Sequence, residues 1–113
     1  MITRKNDMPV DVKVNMRGGA GEAVLTALSP ALPPKTRLFS TITLKPGCGI
    51  GYHVHEGETE MFYFASGSGR VCDAGEWYDV AAGDSMTTPG GHGHAVENNG
   101  ETYLVLVAAI ILD

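Results

Sequence analysis

Three histidines and one glutamate are spaced for joint chemistry. In Gly47-Cys-Gly-Ile-Gly-Tyr-His53-Val-His55-Glu-Gly-Glu-Thr-Glu60, His53 and His55 lie two positions apart. Side chains at that spacing on a β-strand face the same side, so the two imidazoles can converge on one ion. Glu60 follows the Glu56-Gly57-Glu58 turn and can return beside them on the next strand. A second segment, Gly83 to Asn98, holds Pro89-Gly90-Gly91-His92-Gly93-His94, in which a turn delivers His94 to the start of a strand. Imidazole and carboxylate donors together suit Mn, Fe, Co, Ni, Cu or Zn rather than Ca or Mg. A lone histidine in a barrel is more often hydrogen-bonded or at the surface than a ligand, so the joint pattern has to carry the argument.

The elements that must position these residues are strands. Fifteen glycines and six prolines punctuate the chain every few residues, with short runs of β-formers between them. That rhythm predicts an all-β barrel or sandwich. The expected strands are Val10–Asn15, Glu22–Ala27, Thr36–Leu44, Ile50–His55, Glu60–Ser66, Gly69–Asp73, Glu76–Val80, Asp84–Thr88, Ala95–Asn98 and Tyr103–Leu112. Only Gly21–Ser29 competes as a short helix, on propensity alone. Asn99-Gly100, between two apolar segments, is the strongest hairpin signal. Tyr103–Leu112 is apolar on both sides, so it is either sandwiched between two sheets or buried against another subunit; a small barrel has few double-sided positions, which favours a subunit interface and a homodimer.

The 113 residues suit one domain, residues 1–113, large enough to bury a core without staples. At 43% hydrophobic and 19% charged residues the chain is expected to fold. A net charge of −5 with no basic stripe argues against nucleic acid as partner. The longest apolar run is too short for a bilayer, which needs roughly 20 residues. Residues 1–7 have no apolar segment behind them of the kind a signal peptide carries, so a cytoplasmic location is expected. Cys48 and Cys72 lack CxxC spacing and read as two reduced thiols in core or loop.

Both chemistry-bearing segments resemble the two motifs of the cupin family. Gly47, His53, His55, Glu60 and Gly67 fit G(X)5HXH(X)3–4E(X)6G, and Gly83, Pro89, Gly91, His94 and Asn98 fit G(X)5PXG(X)2H(X)3N. Every fixed position is met, and the likeness is nearest to small single-domain bacterial cupins, some of them oxalate-binding manganese proteins. The resemblance implies a single jelly-roll β-barrel with one divalent transition metal ion (manganese or iron among the candidates) held by His53, His55, Glu60 and His94. An octahedral ion so held keeps two adjacent positions for water, O2 or a chelating substrate.

Around the site, alternation from Glu60 sends Phe62 and Phe64 inward, as pocket floor or as ordinary core. Met86 and Thr88 carry the same two readings. His92 is expected at the rim, Tyr52 and Val54 face away, and Glu56 and Glu58 read as a solvated turn. Arg37 either holds a substrate carboxylate or forms a surface salt bridge. Arg17, in a Gly-rich stretch, lacks the lysine and context of a phosphate loop. Arg37, Phe62, Phe64, Met86 and His92 are therefore the candidate substrate contacts. The expected activity is a metal-dependent, dioxygenase-like, decarboxylating or isomerising reaction on a small carboxylate. The rivals are a small-molecule binding or sensing module and a sugar-phosphate isomerase, the latter disfavoured by the scarcity of Lys and Arg around the motifs.

Overall fold

Alternating β-formers between turn residues give ten strands: β1 Val10–Val14, β2 Glu22–Ala27, β3 Thr36–Leu44, β4 Gly49–Val54, β5 Glu58–Ser66, β6 Ser68–Asp73, β7 Glu76–Ala81, β8 Ser85–Thr88, β9 Gly93–Glu97 and β10 Leu104–Leu112. The computed structural model describes all 113 residues, and each expected strand is present to within two residues at either end. Gly21–Ser29 is no helix. Its β2 pairs antiparallel with β1 on one side and β3 on the other, and Ala23 is fully buried.

Two antiparallel sheets face each other as a jelly-roll barrel. The larger runs β1-β2-β3-β10-β5-β8 and the smaller β4-β9-β6-β7. Between them, Ile42, Leu44, Phe64, Leu104 and Leu106 of the larger sheet meet Ile50, Val71 and Val96 of the smaller one. Along β5 the inward residues run Glu58, Glu60, Phe62, Phe64. The polar half of that row opens into a cavity and the aromatic half closes the core, so one strand spans both ends of the barrel.

The Asn99-Gly100 signal does not make a hairpin. β9 belongs to the smaller sheet and β10 to the larger, and neither residue has the positive φ of a tight turn. The buried Asn98 side chain shapes this crossing instead. Its Nδ2 donates to the carbonyls of Leu44 and Thr102, both at 2.8 Å, and its Oδ1 accepts from the Gly100 amide at 3.0 Å. Motif glycines 47, 67, 83 and 91 all have φ between 83° and 98°, a region costly for any residue with a Cβ.

β10 has one buried row, Leu104, Leu106, Ala108 and Ile110, and one half-exposed row, Val105, Val107, Ala109 and Ile111. The second row lies in the middle of an uncharged outer sheet face. Phe39 and Met61 flank Ala109, and Thr41 and Tyr63 flank Val107. Val10, Val12 and Val14 extend this face at the β1 edge, where they pair with Thr26, Val24 and Glu22. Glu22, at one corner, is its only charged residue. No helix in the structure is long and apolar enough to cross a membrane.

Candidate metal centre

His53 and His94 are direct cross-strand partners of β4 and β9, which puts their rings on one face. A bulge between Ile50 and His53 makes this possible, because both residues face inward although three positions apart. Gly51 sits in that bulge. A Cβ there would come within 2.0 Å of the Arg17 carbonyl, so only glycine lets the short 3-10 turn Met16–Gly18 lie flush on β4. His55 follows the end of β4 and is tied by its amide to the His92 carbonyl and by its carbonyl to the Gly91 amide. Glu60 arrives on β5 from the opposite sheet. His55, Glu60 and His94 are buried and His53 is half-buried.

The four donor atoms lie within 4.8 Å of one another. The three Nε2 atoms form a near-equilateral triangle, with separations of 3.1, 3.1 and 3.2 Å. Glu60 Oε1 stands 2.9 Å from His55 Nε2 and 3.0 Å from His94 Nε2, but beyond ion-pair reach of His53. With bonds of about 2.1 Å, adjacent octahedral donors are about 3.0 Å apart and opposite ones about 4.2 Å, whereas tetrahedral donors are about 3.4 Å apart. The spacing therefore fits three facial imidazoles with Glu60 opposite His53. An octahedral ion held by these four residues would keep two adjacent positions for other ligands.

Each ring is held through its other nitrogen. His53 Nδ1 donates to the Gly51 carbonyl at 2.8 Å, His55 Nδ1 lies 2.6 Å from Glu58 Oε2, and His94 Nδ1 lies 2.8 Å from Thr88 Oγ1. Glu58 in turn accepts from Arg37 Nε and Nη2 at 2.9 and 2.7 Å. The Arg37 fork, with help from His55, overcomes the cost of burial and holds the Glu58 carboxyl down to about 2. As an anion Glu58 can only accept, so His55 presents N–H to it and turns its Nε2 lone pair inward. Phe62 stacks on the His94 ring at 4.9 Å and 14°, fixing its plane. Burial pushes the His53 pKa down, and the neighbouring His94, His55 and Arg17 push it the same way, against the Gly51 hydrogen bond. Three Nε2 atoms and one carboxylate oxygen thus face one another. Facing lone pairs repel unless a cation lies between them, so the donor set fits a divalent metal ion.

A cavity of about 300 Å3 opens onto these four residues. Arg37 and Phe62 line it, as the sequence suggested for substrate contacts. Phe64, Met86 and His92 do not. Phe64 is fully buried one inward step beyond Phe62, Met86 pairs with Phe62 from β8, and His92 is exposed with its ring turned back to the Gly90 carbonyl. Glu58 is not a solvated turn residue. It shares the inward parity of Glu60, a signal available in the sequence. Lys13 and Arg17 also line the cavity, so cations reach it from outside the motifs. Tyr52 and Val54 face outward as expected, and both cysteines are free thiols, Cys72 buried and Cys48 half-buried.

A jelly-roll barrel with three histidines and a glutamate converging at one mouth defines the class. The chain belongs to the cupin family: the cupin domain matches residues 40–110. It is 40% identical to an oxalate-binding protein of Thermotoga maritima over 99% of this chain and 94% of that one. It is 30% identical to a probable oxalate decarboxylase of Arthroderma benhamiae over 86% of this chain but 26% of that one. The crystal structure of a predicted oxalate decarboxylase from Thermotoga maritima superposes with a TM-score of 0.92 at 38% identity, covering all of both chains. A putative sugar phosphate isomerase from Acidithiobacillus ferrooxidans, at 23% identity and a TM-score of 0.81 over 97% and 74% of the two chains, shares the fold.

The purified protein should carry close to one equivalent of a transition metal by elemental analysis, and His53→Ala and His94→Ala should lose it. Glu58→Ala should keep the donors but weaken the metal by about 10–100-fold in a chelator competition. Equal metal content in all forms would contradict the site.

Proposed function

We propose that this chain is a metal-dependent binding protein for a small chelating carboxylate such as oxalate. The reading is carried by the donor spacing, which would leave two adjacent positions of an octahedral ion for another ligand. Held by His53, His55, Glu60 and His94, a divalent ion would supply Lewis-acid chemistry toward a chelating carboxylate. The protein's own part is to present the four donors, to keep Arg37 and Glu58 paired beside them, and to exclude water with Phe62 and its apolar neighbours. The oxalate-binding relative at 40% identity supports the same ligand class.

Binding is favoured over turnover by the composition of the wall. Besides the four donors, the ionisable residues lining the cavity are Asp11, Lys13, Arg17 and Arg37. Asp11 and Lys13 pair with each other at 3.0 Å on the exposed rim, and Arg37 is held by Glu58. No cysteine, tyrosine or further histidine lines the cavity to act as general acid or base. The oxalate decarboxylase names among the relatives keep a second reading, decarboxylative or oxidative turnover, open to test. Calorimetric titration with oxalate should show binding to the metal-loaded protein and none to the apo form or to His94→Ala. Equal binding to the apo form would contradict chelation. Carbon dioxide release from oxalate under Mn or Fe loading would move the assignment to an enzyme.

We also infer that the uncharged outer sheet face pairs with a second copy of the chain. Six strands about 4.8 Å apart, over about seven residues at about 3.4 Å each, outline a face of roughly 24 by 24 Å. With side-chain relief this approaches the ~800 Å2 per partner that a specific interface buries. Light scattering coupled to size exclusion should give about twice 11.9 kDa, and Val107→Glu should bring the mass down to one chain. A monomeric wild type would contradict the dimer.

A further inference from the structure

Gly93 lies on the outward row of β9, yet it is buried. Its φ is not positive, so backbone conformation does not demand a glycine there. Space does. A Cβ at Gly93 would overlap Cζ, Oη and Cε1 of the Tyr52 ring, whereas at Gly19 and Gly51 the first obstacle is backbone. Tyr52 is the diagonal neighbour of Gly93, because His53 pairs with His94 and Val54 with Gly93. An aromatic side chain spans that diagonal, and a ring laid over a cross-strand glycine covers the backbone that the glycine leaves bare.

Tyr52 stands where the β4–β9 ladder is interrupted. Gly51 and Tyr52 together oppose Ala95, between the Ile50–Val96 and His53–His94 pairs. Such a bulge leaves a residue unpaired and fewer hydrogen bonds to fix one strand against the other. On one side of Tyr52 is Gly51, whose carbonyl holds His53 Nδ1 at 2.8 Å, and on the other is His53 itself. Gly93 is joined in the same way to His94. The contact between ring and glycine therefore ties together the two backbones that carry His53 and His94, from the face of the sheet opposite the donors. Tyr52 is 51% exposed, so removing its ring opens no hole in the core.

We propose that Tyr52 is a positioning residue for the metal centre: its ring, laid over Gly93 on the outer face, fixes β4 against β9 and so sets the 3.2 Å separation of the His53 and His94 Nε2 atoms. The Gly51 carbonyl and the Thr88 hydroxyl orient the two imidazoles, and the ring on Gly93 sets the distance between the strands that bear them. The aromatic body does this work, since it is the ring that covers the glycine. The inference rests on the reading that the four donors hold an ion, and adds what holds two of them in place from behind the sheet.

The test is chelator competition for cobalt(II), whose visible spectrum also reports the arrangement of its ligands, on wild type, Tyr52→Phe, Tyr52→Ala, Gly93→Ala and the double variant Tyr52→Ala/Gly93→Ala. Tyr52→Phe should hold cobalt within about twofold of wild type. Tyr52→Ala and Gly93→Ala should each weaken it by about tenfold, the low end for groups that orient metal ligands, and should alter the spectrum. In the double variant the two losses should not add, because each removes the same contact. Trp77→Ala, on β7 two strands beyond β9, is the control for stability alone. It should lower the melting temperature of the apo form and leave cobalt affinity within about twofold. Wild-type affinity in Tyr52→Ala, additive losses in the double variant, or an equal loss in Trp77→Ala would overturn the positioning role. A wild-type protein that takes up no cobalt would overturn the metal reading instead, and this inference with it.

Discussion

Three imidazole nitrogens with their lone pairs turned toward one another, 3.1–3.2 Å apart, are the arrangement the rest of the site depends on. Left to themselves they repel, and each ring would turn away. The protein prevents turning by gripping every ring from behind, with the Gly51 carbonyl, the Glu58 carboxylate and the Thr88 hydroxyl. Three different groups do the same job because the three histidines arrive on different backbone: mid-strand beside a bulge, just past a strand end, and on the facing strand. The Arg37–Glu58 pair is the costliest of the three supports, since it places two charges at the cavity edge. It holds only because the fork is bidentate and His55 supplies a further donor to Glu58.

The fold divides its labour along β5. Toward Glu58 and Glu60 the inward row is polar and faces the cavity, and toward Phe64 and Leu104 it is dry and close-packed. Phe62 belongs to both regions, since it packs in the core cluster and stacks on His94. A substitution at Phe62 therefore acts on stability and on the metal corner together. The outer side of the same sheet carries β-branched and aromatic residues, with Glu22 at one corner its only charge.

Much of this was legible from residue spacing. The two motif segments named the four residues that the fold brings together, and glycine and proline punctuation placed all ten strands, because both signals are local. Three features were not legible, each for a non-local reason. Asn99-Gly100 has the chemistry of a hairpin turn, but Asn98 spends its side chain on Leu44 and Thr102 and sends the chain to the other sheet. For Glu58 the parity with Glu60 was in the sequence, but its partner Arg37, 21 residues away, was not. For β1 the sequence marked a strand and not which of its two rows faces in. The structure turns Val10, Val12 and Val14 outward and gives Asp11 and Lys13 to the cavity mouth. Phe64 and Met86 show the converse limit: parity told which way they face, not how deep they lie.

The central claim is that these residues impose one geometry on a metal ion, and X-ray absorption spectroscopy of the metal-loaded protein reads it directly. The account predicts six nitrogen or oxygen neighbours at about 2.1–2.2 Å, with outer-shell scattering from three imidazoles. Addition of a chelating acid should keep six neighbours and add its carbon shell. A four-coordinate first shell, or scattering from fewer than three imidazoles, would contradict it.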